Sequence, residues 1–149
     1  MGKYNCRCTI WSSYYEKGKW SYPIEVAKVN KTAHWNPVLF KDGNNIIHLF
    51  FKVGSDESNW VTYVMQSKDG KTWSKPVELI KGDIGGRGPV KNQPIILSDG
   101  SWIAPASVEV TGWKSFVDIS KDQGKTCKSS KSGGSLINRS IFDFEYYVV

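Results

Sequence analysis

The fold is decided by one stretch, Ser67-Lys68-Asp69-Gly70-Lys71-Thr72-Trp73. Its Asp-Gly pair favours a tight turn, because glycine adopts the positive φ that other residues resist. The segments on either side, residues 60–66 and 72–80, are rich in β-branched and aromatic residues, which is typical of strands. The stretch therefore predicts a β-hairpin with a tryptophan just past its turn.

The same turn pattern occurs twice more in the chain. Residues 120–127 repeat it with one extra turn residue and a cysteine in place of the tryptophan, and residues 16–26 repeat it with a degenerate turn. The equivalent positions Trp20, Trp73 and Cys127 are separated by 53 and 54 residues. A repeat of about this length that consists only of strands and turns is typical of β-propellers, in which each unit is one four-stranded blade.

The repeat predicts an all-β chain that holds about two and a half four-stranded blades of an incomplete propeller. The partial propeller spans residues 1–127, with blade boundaries near residues 30 and 85, and residues 128–149 form a linker and a tail that match no repeat. The third blade then lacks its fourth strand. Because so few blades leave unpaired strands at both ends, we expect self-association through the open blade edges.

Composition and charge restrict the classes of partner. Hydrophobic residues make up 40% of the chain and aromatic residues 13%, as in folded globular proteins. The formal net charge of +6 favours acidic ligands, but no block or stripe of basic residues indicates nucleic acid. No apolar run is long enough to span a membrane. We expect neither a metal nor a cofactor.

The cysteines and the first residues leave the cellular compartment open. Cys6, Cys8 and Cys127 show no metal-like spacing, and we interpret them as buried free thiols. Residues 1–6 contain no apolar core, so no signal peptide is expected. The protein is cytoplasmic if this N-terminus is complete.

The turn motif resembles the Asp box, Ser-x-Asp-x-Gly-x-Thr-Trp, of sialidases and related BNR-repeat propellers. Residues 34–40, 51–54, 88–95 and 105–109 are similar to the branch of sialidase-like proteins known as exo-alpha-sialidases or neuraminidases. The resemblance covers about residues 10–126 and implies a propeller that has six blades in intact family members. It also implies that the Asp boxes are structural turns on the rim, formed by Ser67, Asp69, Gly70, Thr72 and Trp73 and by Ser120, Asp122, Gly124 and Thr126.

Candidate site residues come from a comparison of two repeats. Residues 37–43 and 94–100 share the framework Pro-apolar-apolar-apolar-x-Asp-Gly, but the polar residues before it differ. Such variation on a shared scaffold predicts ligand groups at one end of the inner strands. His34 is a candidate general acid or base, and Glu109 is the second catalytic candidate because its segment matches the family. The candidate substrate-binding residues are Trp35, Asn36, Lys52, Arg87, Lys91 and Asn92.

For several of these residues a structural reading stays open. His34 and Asn36 also suit hydrogen bonding at a strand end, and Lys52 also suits a solvated charge. His48 lies within an apolar run and is predicted to be a packed core histidine.

The resemblance implies a sialidase-like glycoside hydrolase that acts on terminal acidic sugars, here as a fragment inactive alone. Two alternatives remain. One is a non-catalytic glycan-binding or degenerate propeller remnant, and the other is a polysaccharide lyase or rhamnosidase-like propeller that acts on uronic-acid glycans. An acidic glycan or oligosaccharide is the expected ligand in each case.

Overall fold

The computed structural model describes residues 8–108 and 114–130. These residues form two four-stranded and two two-stranded antiparallel sheets and one 3-10 turn at Glu57–Asn59, so the all-β prediction is confirmed. The strands are β1 (Ile10–Ser12), β2 (Tyr15–Glu16), β3 (Lys19–Trp20), β4 (Ile24–Ala27), β5 (His34–Lys41), β6 (Ile47–Val53), β7 (Val61–Ser67), β8 (Val77–Glu78), β9 (Ile95–Ile96), β10 (Trp102–Val108), β11 (Lys114–Ser120) and β12 (Lys128–Ser129).

The first blade, β1 to β4, is one hairpin in two parts. Strands β1 and β4 pair with a register shift between Ile10 and Trp11, and the short strands β2 and β3 pair beside the turn. The sequence predicts this hairpin over residues 5–26, of which residues 5–7 lie outside the described part. Ile10 and Ala27 are buried against the second blade.

The second blade is the sheet β5-β6-β7-β8. The sequence predicts its first three strands over residues 34–41, 46–53 and 60–66, and the observed strands agree with these bounds to within one residue at each end. Its fourth strand, Val77–Glu78, is much shorter than the predicted segment 72–80. At the start of the predicted segment, the backbone N–H groups of residues 70–72 donate to the Ser67 and Asp69 side chains of the turn rather than to a neighbouring strand.

Strand β6 carries two inter-blade contacts. It is buried along almost its whole length, as its continuous apolar sequence predicts. Because alternate side chains of a strand point to opposite faces, Leu49, Phe51 and Val53 pack in the cluster with the first blade. Phe50 packs on the other side, in the cluster that includes Trp102 of the third blade. Each of these buried side chains contributes roughly 1.5–3 kcal/mol to folding.

The third blade is the sheet β12-β11-β10-β9. The prediction that it lacks its fourth strand is wrong, because β12 pairs with β11 just after the predicted end of the propeller at residue 127. The Ser130 N–H donates to the Val117 carbonyl (2.7 Å), and the Val117 N–H donates to the Ser130 hydroxyl (3.0 Å). These bonds lie within the segment that the sequence predicts to be a linker. The rest of that segment and the tail, residues 131–149, lie outside the described part.

Trp102 organises the joint between the second and third blades. Its indole is buried and contacts the ring of Phe40 edge-on, with 4.8 Å between the ring centroids. His48 meets the same indole at 5.0 Å and hydrogen-bonds Asp42 at 3.0 Å. The prediction of a packed core histidine at position 48 is confirmed. Gly124 is required here, because its φ is +85° and a Cβ at this position would collide with the Trp102 ring.

Candidate functional site

The predicted polar residues lie beside the segment that connects the second blade to the third. We call this region the connector edge and define it by Trp35, Lys52, Trp60 and the connector, residues 82–90. Trp35 and Lys52 are register partners at the ends of β5 and β6, and Trp60 precedes β7. The Gly85 N–H donates to the Trp60 carbonyl at 3.0 Å, which brings the connector against these strand ends.

Lys52 is completely buried beneath the connector. Its ammonium group donates to the Thr62 hydroxyl (2.7 Å) and to the carbonyls of Gly86 (2.8 Å), Arg87 (2.6 Å) and Gly88 (3.3 Å). Desolvation lowers the pKa of Lys52 to about 7, against the opposing charges of Asp118 and Asp83. A lysine with these contacts holds the connector in place, and its Nζ is not exposed to a ligand.

Arg87 is paired with a carboxylate from the third blade. Its Nε and Nη2 donate to Asp118 Oδ1 at 3.0 and 2.6 Å, and Nη2 also donates to the Cys127 carbonyl at 3.0 Å. Asp118 is 1% exposed, and its second oxygen accepts the Gly88 N–H at 2.7 Å. The connector is therefore held by a buried lysine from one blade and a buried aspartate from the next.

Sequence reasoning missed Asp118, although one signal pointed to it. Asp118 alternates with apolar residues in a predicted strand, between Val117 and Ile119. A carboxylate on the inward face of a strand needs a partner of opposite charge or several hydrogen-bond donors. Its partner Arg87 lies 31 residues earlier in the chain, so the pair was not visible as a motif.

His34 uses both ring nitrogens for backbone contacts. Its Nε2 accepts the Val29 N–H at 2.7 Å, so the proton lies on Nδ1, which donates to the Thr32 carbonyl at 2.9 Å. The ring is buried and stacks on Phe51 with 5.6 Å between centroids. These contacts tie the segment between the first and second blades to β5. They favour strand-end hydrogen bonding, and the catalytic role of His34 stays a prediction.

Trp35 and Asn36 lie at the surface of the connector edge. Trp35 is 38% exposed, and its indole N–H donates to the Gly54 carbonyl at 2.9 Å. Its ring is tilted by 35° against that of Trp60, with 6.4 Å between centroids. The ladder between β5 and β6 is irregular from Trp35 to Val38, and Asn36 has a φ of +46°. At this bulge, an aromatic ring anchored by a hydrogen bond is partly exposed to solvent.

Lys91 and Asn92 lie on the surface at the far end of the connector. Both are exposed, Lys91 has a φ of +63°, and the Asn92 N–H donates to the Val90 carbonyl at 2.7 Å. This tight turn shortens β9 to two residues, compared with the predicted segment 90–97. The two polar side chains are therefore displayed on a loop rather than on a strand.

Asp83 is a second acidic residue that sequence reasoning missed. It is half-buried in the connector, and its side chain makes no hydrogen bond within residues 8–108 and 114–130. Desolvation raises the pKa of Asp83, and the charges of Arg87 and Lys52 partly oppose this effect. The predicted catalytic residue Glu109 lies outside the described residues.

The two Asp boxes have the contacts of self-contained turns. Asp69 Oδ1 accepts the N–H groups of Thr72 (2.7 Å) and Lys71 (2.8 Å), which lowers the pKa of Asp69 to about 2. The Thr126 hydroxyl (2.6 Å) and N–H (2.8 Å) donate to Asp122 and lower its pKa to about 2 as well. Each box serine hydroxyl accepts a glycine N–H, from Gly70 or Gly124. Both carboxylates are thus bonded to their own turns.

Comparison with known families fits this arrangement of repeated antiparallel sheets and Asp-box turns. The family model described as the BNR repeat-like domain matches residues 7–142. The chain belongs to this family. The sialidase-like, propeller-type resemblance seen in the sequence is thereby confirmed, and the match of the BNR repeat-like domain extends past residue 127. A search of the curated proteins gives no match.

Two further searches concern the described part of the BNR repeat-like domain. Within residues 8–108 and 114–130, no group of three or more His, Cys, Asp or Glu side chains is placed to hold a metal ion. Over the same residues, no helix has the length and apolarity needed to cross a membrane.

Proposed function

We propose that this BNR repeat-like domain binds acidic glycans at the connector edge. The observation that carries the proposal is Trp35, an indole whose N–H is anchored by the Gly54 carbonyl, whose ring contacts Trp60, and which is 38% exposed. An immobilised aromatic ring offers an apolar face at little cost in conformational entropy. The apolar C–H face of a pyranose ring is a suitable partner for such a surface.

Exposed polar side chains that follow the connector support an acidic sugar. Lys91 and Asn92 are exposed on the loop after residue 90, and their side chains form no hydrogen bond within the described residues. Asn36 lies next to Trp35 on the bulge. A few polar groups around an aromatic surface are typical of small-ligand sites, and the net charge of +6 favours a carboxylate-bearing ligand. Lys52 and Arg87 support the site from beneath by holding the connector.

The test is calorimetric titration with three oligosaccharides that end in a sialic acid, a uronic acid or a neutral hexose. We expect the acidic oligosaccharides to bind more tightly. Trp35→Ala weakens binding several-fold, which corresponds to about 1 kcal/mol of lost aromatic contact, and Lys91→Met removes the preference for acid. Tyr22→Ala, which alters a tyrosine that is 92% exposed in the first blade, is the matched control. Equal binding by the Trp35→Ala variant would overturn the proposal.

Hydrolysis of an acidic glycan is the second candidate function, and Asp83 is the observation that favours it. A half-buried carboxyl with a raised pKa and no hydrogen bond within the described residues is suited to hold a proton for a leaving group. If Asp83 is the general acid, Asp83→Asn abolishes turnover of an acidic oligosaccharide, whose sugar leaving group needs a proton, and leaves binding of that oligosaccharide intact. Unchanged turnover in this variant would exclude Asp83, and Glu109→Gln tests the remaining acidic candidate.

A further inference from the structure

The second blade contacts the first blade through aromatic residues, and the first blade has aromatic residues at the equivalent positions of its own repeat. In the second blade, Tyr63 is the register partner of Glu78, and Trp73 follows the Asp-box turn. In the first blade, Trp11 is the register partner of Glu25. The turn repeat separates Trp20 from Trp73, and Glu25 from Glu78, by the same 53 residues. Trp11 is therefore equivalent to Tyr63, and Trp20 to Trp73.

The equivalent residues differ in what covers them. Tyr63 and Trp73 pack in the cluster that joins the second blade to Ile10 and Ala27 of the first. Trp11 and Trp20 are 58% and 71% exposed. We call these two residues the first-blade aromatic face. The equivalent positions in the next repeat form an inter-blade contact. The two exposed indoles therefore indicate an interface that no other part of the described residues covers.

The third blade carries the other half of such a contact on its outward side. Along β11, Phe116, Asp118 and Ser120 are buried and alternate with Val117 and Ile119, which are half-buried. Since successive side chains of a strand point to opposite faces, the latter two lie on the side away from the second blade. Ile103 of β10 and its partner Ile95 of β9 complete this side. We call Ile95, Ile103, Val117 and Ile119 the third-blade outward face.

In the second blade, the positions equivalent to the third-blade outward face are the ones that contact the third blade. The strand ladders align Ile103 with His48 and Val117 with Val64, because Trp102 pairs with Ser120 as Ile47 pairs with Ser67. His48 contacts Trp102 of the third blade, and Val64 packs in the same inter-blade cluster. The chain thus displays two surfaces that correspond to the two sides of its own internal joints.

We propose that a second copy of this chain covers the first-blade aromatic face with its third-blade outward face. The two joints inside the chain are the template for this contact. In each joint, one face of a blade packs against the outward face of the blade that precedes it in the chain. The contact is head-to-tail and joins two different surfaces, so it produces a ring or an open filament according to the rotation between copies. This inference is independent of the glycan proposal.

The first experiment measures the mass of the full chain by light scattering and sedimentation over about 1 to 100 µM, a range that covers weak to moderate affinities. We expect mass to increase with concentration. Trp11→Ser combined with Trp20→Ser, or Ile103→Lys combined with Ile119→Lys, weakens association by roughly tenfold or more, as loss of central interface residues does. Tyr22→Ser is the matched control, since its repeat equivalent Lys75 is also exposed. If the wild-type chain stays monomeric over this range, the proposal is overturned, whatever the variants do.

The decisive experiment mixes the two double variants. Each one retains one intact surface, so the mixture forms one-to-one dimers and no larger species, whereas each variant alone remains monomeric. A contact between two identical surfaces would instead let one of the variants dimerise alone. Failure of the mixture to associate, or self-association of either variant at the wild-type level, would overturn the head-to-tail arrangement. Far-UV circular dichroism establishes that each variant is folded.

Discussion

Replacement of Lys52 by methionine tests whether a buried ammonium group holds the blade connector. Burial lowers the pKa of Lys52 from 10.5 to about 7. By linkage the buried charge therefore costs up to about 5 kcal/mol of folding free energy below pH 7. This is the net cost in the folded protein, in which four acceptors surround Nζ.

The sign of the pH dependence follows from the lowered pKa. Between about pH 7 and pH 10.5 the unfolded chain keeps a proton on Lys52 that the folded chain loses. The free energy of unfolding therefore rises with pH in this window, by at most about 1.4 kcal/mol per pH unit from this residue. Below pH 7 both states bind the proton, and the contribution of Lys52 no longer changes with pH.

The assay is urea denaturation of the wild type and of Lys52→Met at pH values between about 7 and 10. The other titrating groups are common to both proteins, so the difference between their unfolding free energies isolates Lys52. We expect the wild type to gain stability over the variant by about 3 to 4 kcal/mol across this range. Lys68→Met, which removes an exposed lysine of the same blade, serves as the control. Parallel curves for the wild type and Lys52→Met would refute the reasoning.

Three further predictions concern the joint and the turns. Asp118→Ala removes the carboxylate that accepts from Arg87 and from the Gly88 N–H and leaves the guanidinium with the Cys127 carbonyl, so chemical denaturation should show a loss of about 3 kcal/mol or more. Cys127→Trp alone should lower the free energy of unfolding by about 1 to 3 kcal/mol through overpacking, because Trp102 already fills this site and the adjoining cavity is only about 20 Å³. Adding Trp102→Ile to the Cys127→Trp variant should restore stability, whereas Trp102→Ile in the wild type should not increase it. Asp69→Ala should lower the melting temperature at pH 7, and the difference should shrink as the pH falls from about 4 toward 2, where wild-type Asp69 becomes protonated. Equal differences at both pH values would contradict the assignment of Asp69 as a turn-capping carboxylate.

Tertiary packing compensates for the departure of the third blade from the repeat. Cys127 stands where the other two copies of the turn motif have tryptophan. In the second blade, Ile47 pairs with the box serine and Trp73 packs toward the preceding blade. In the third blade, Trp102 occupies the position of Ile47, and Cys127 borders the same cavity. The tryptophan and the smaller side chain have thus exchanged strands between the two blades, so the inter-blade contact keeps one indole. Cys127 is partly buried at this contact, and burial raises the pKa of its thiol to about 11.

The candidate site was only partly readable from the sequence. Trp35, Lys91 and Asn92 are predicted as ligand-binding residues, and all three are exposed, Trp35 at the connector edge and the other two on the loop after residue 90. Lys52 and Arg87 were predicted beside them, and both are near that edge, but their polar groups are bonded to the connector and to Asp118. Resemblance to a family motif does not by itself distinguish a ligand contact from a contact that holds two blades together.

The sequence by itself determined the strands, the turns and their repeat. These features depend on neighbouring residues: alternating or continuous apolar runs define β5 to β7, and the Asp-box side chains bond within their own turns. Only the tertiary structure decided the environments of Lys52 and Asp118 and the existence of β12. The Lys52 ammonium meets the connector 34 to 36 residues further along the chain. Whether a charge is solvated or buried depends on such distant partners, and local sequence carries no record of which segments will meet.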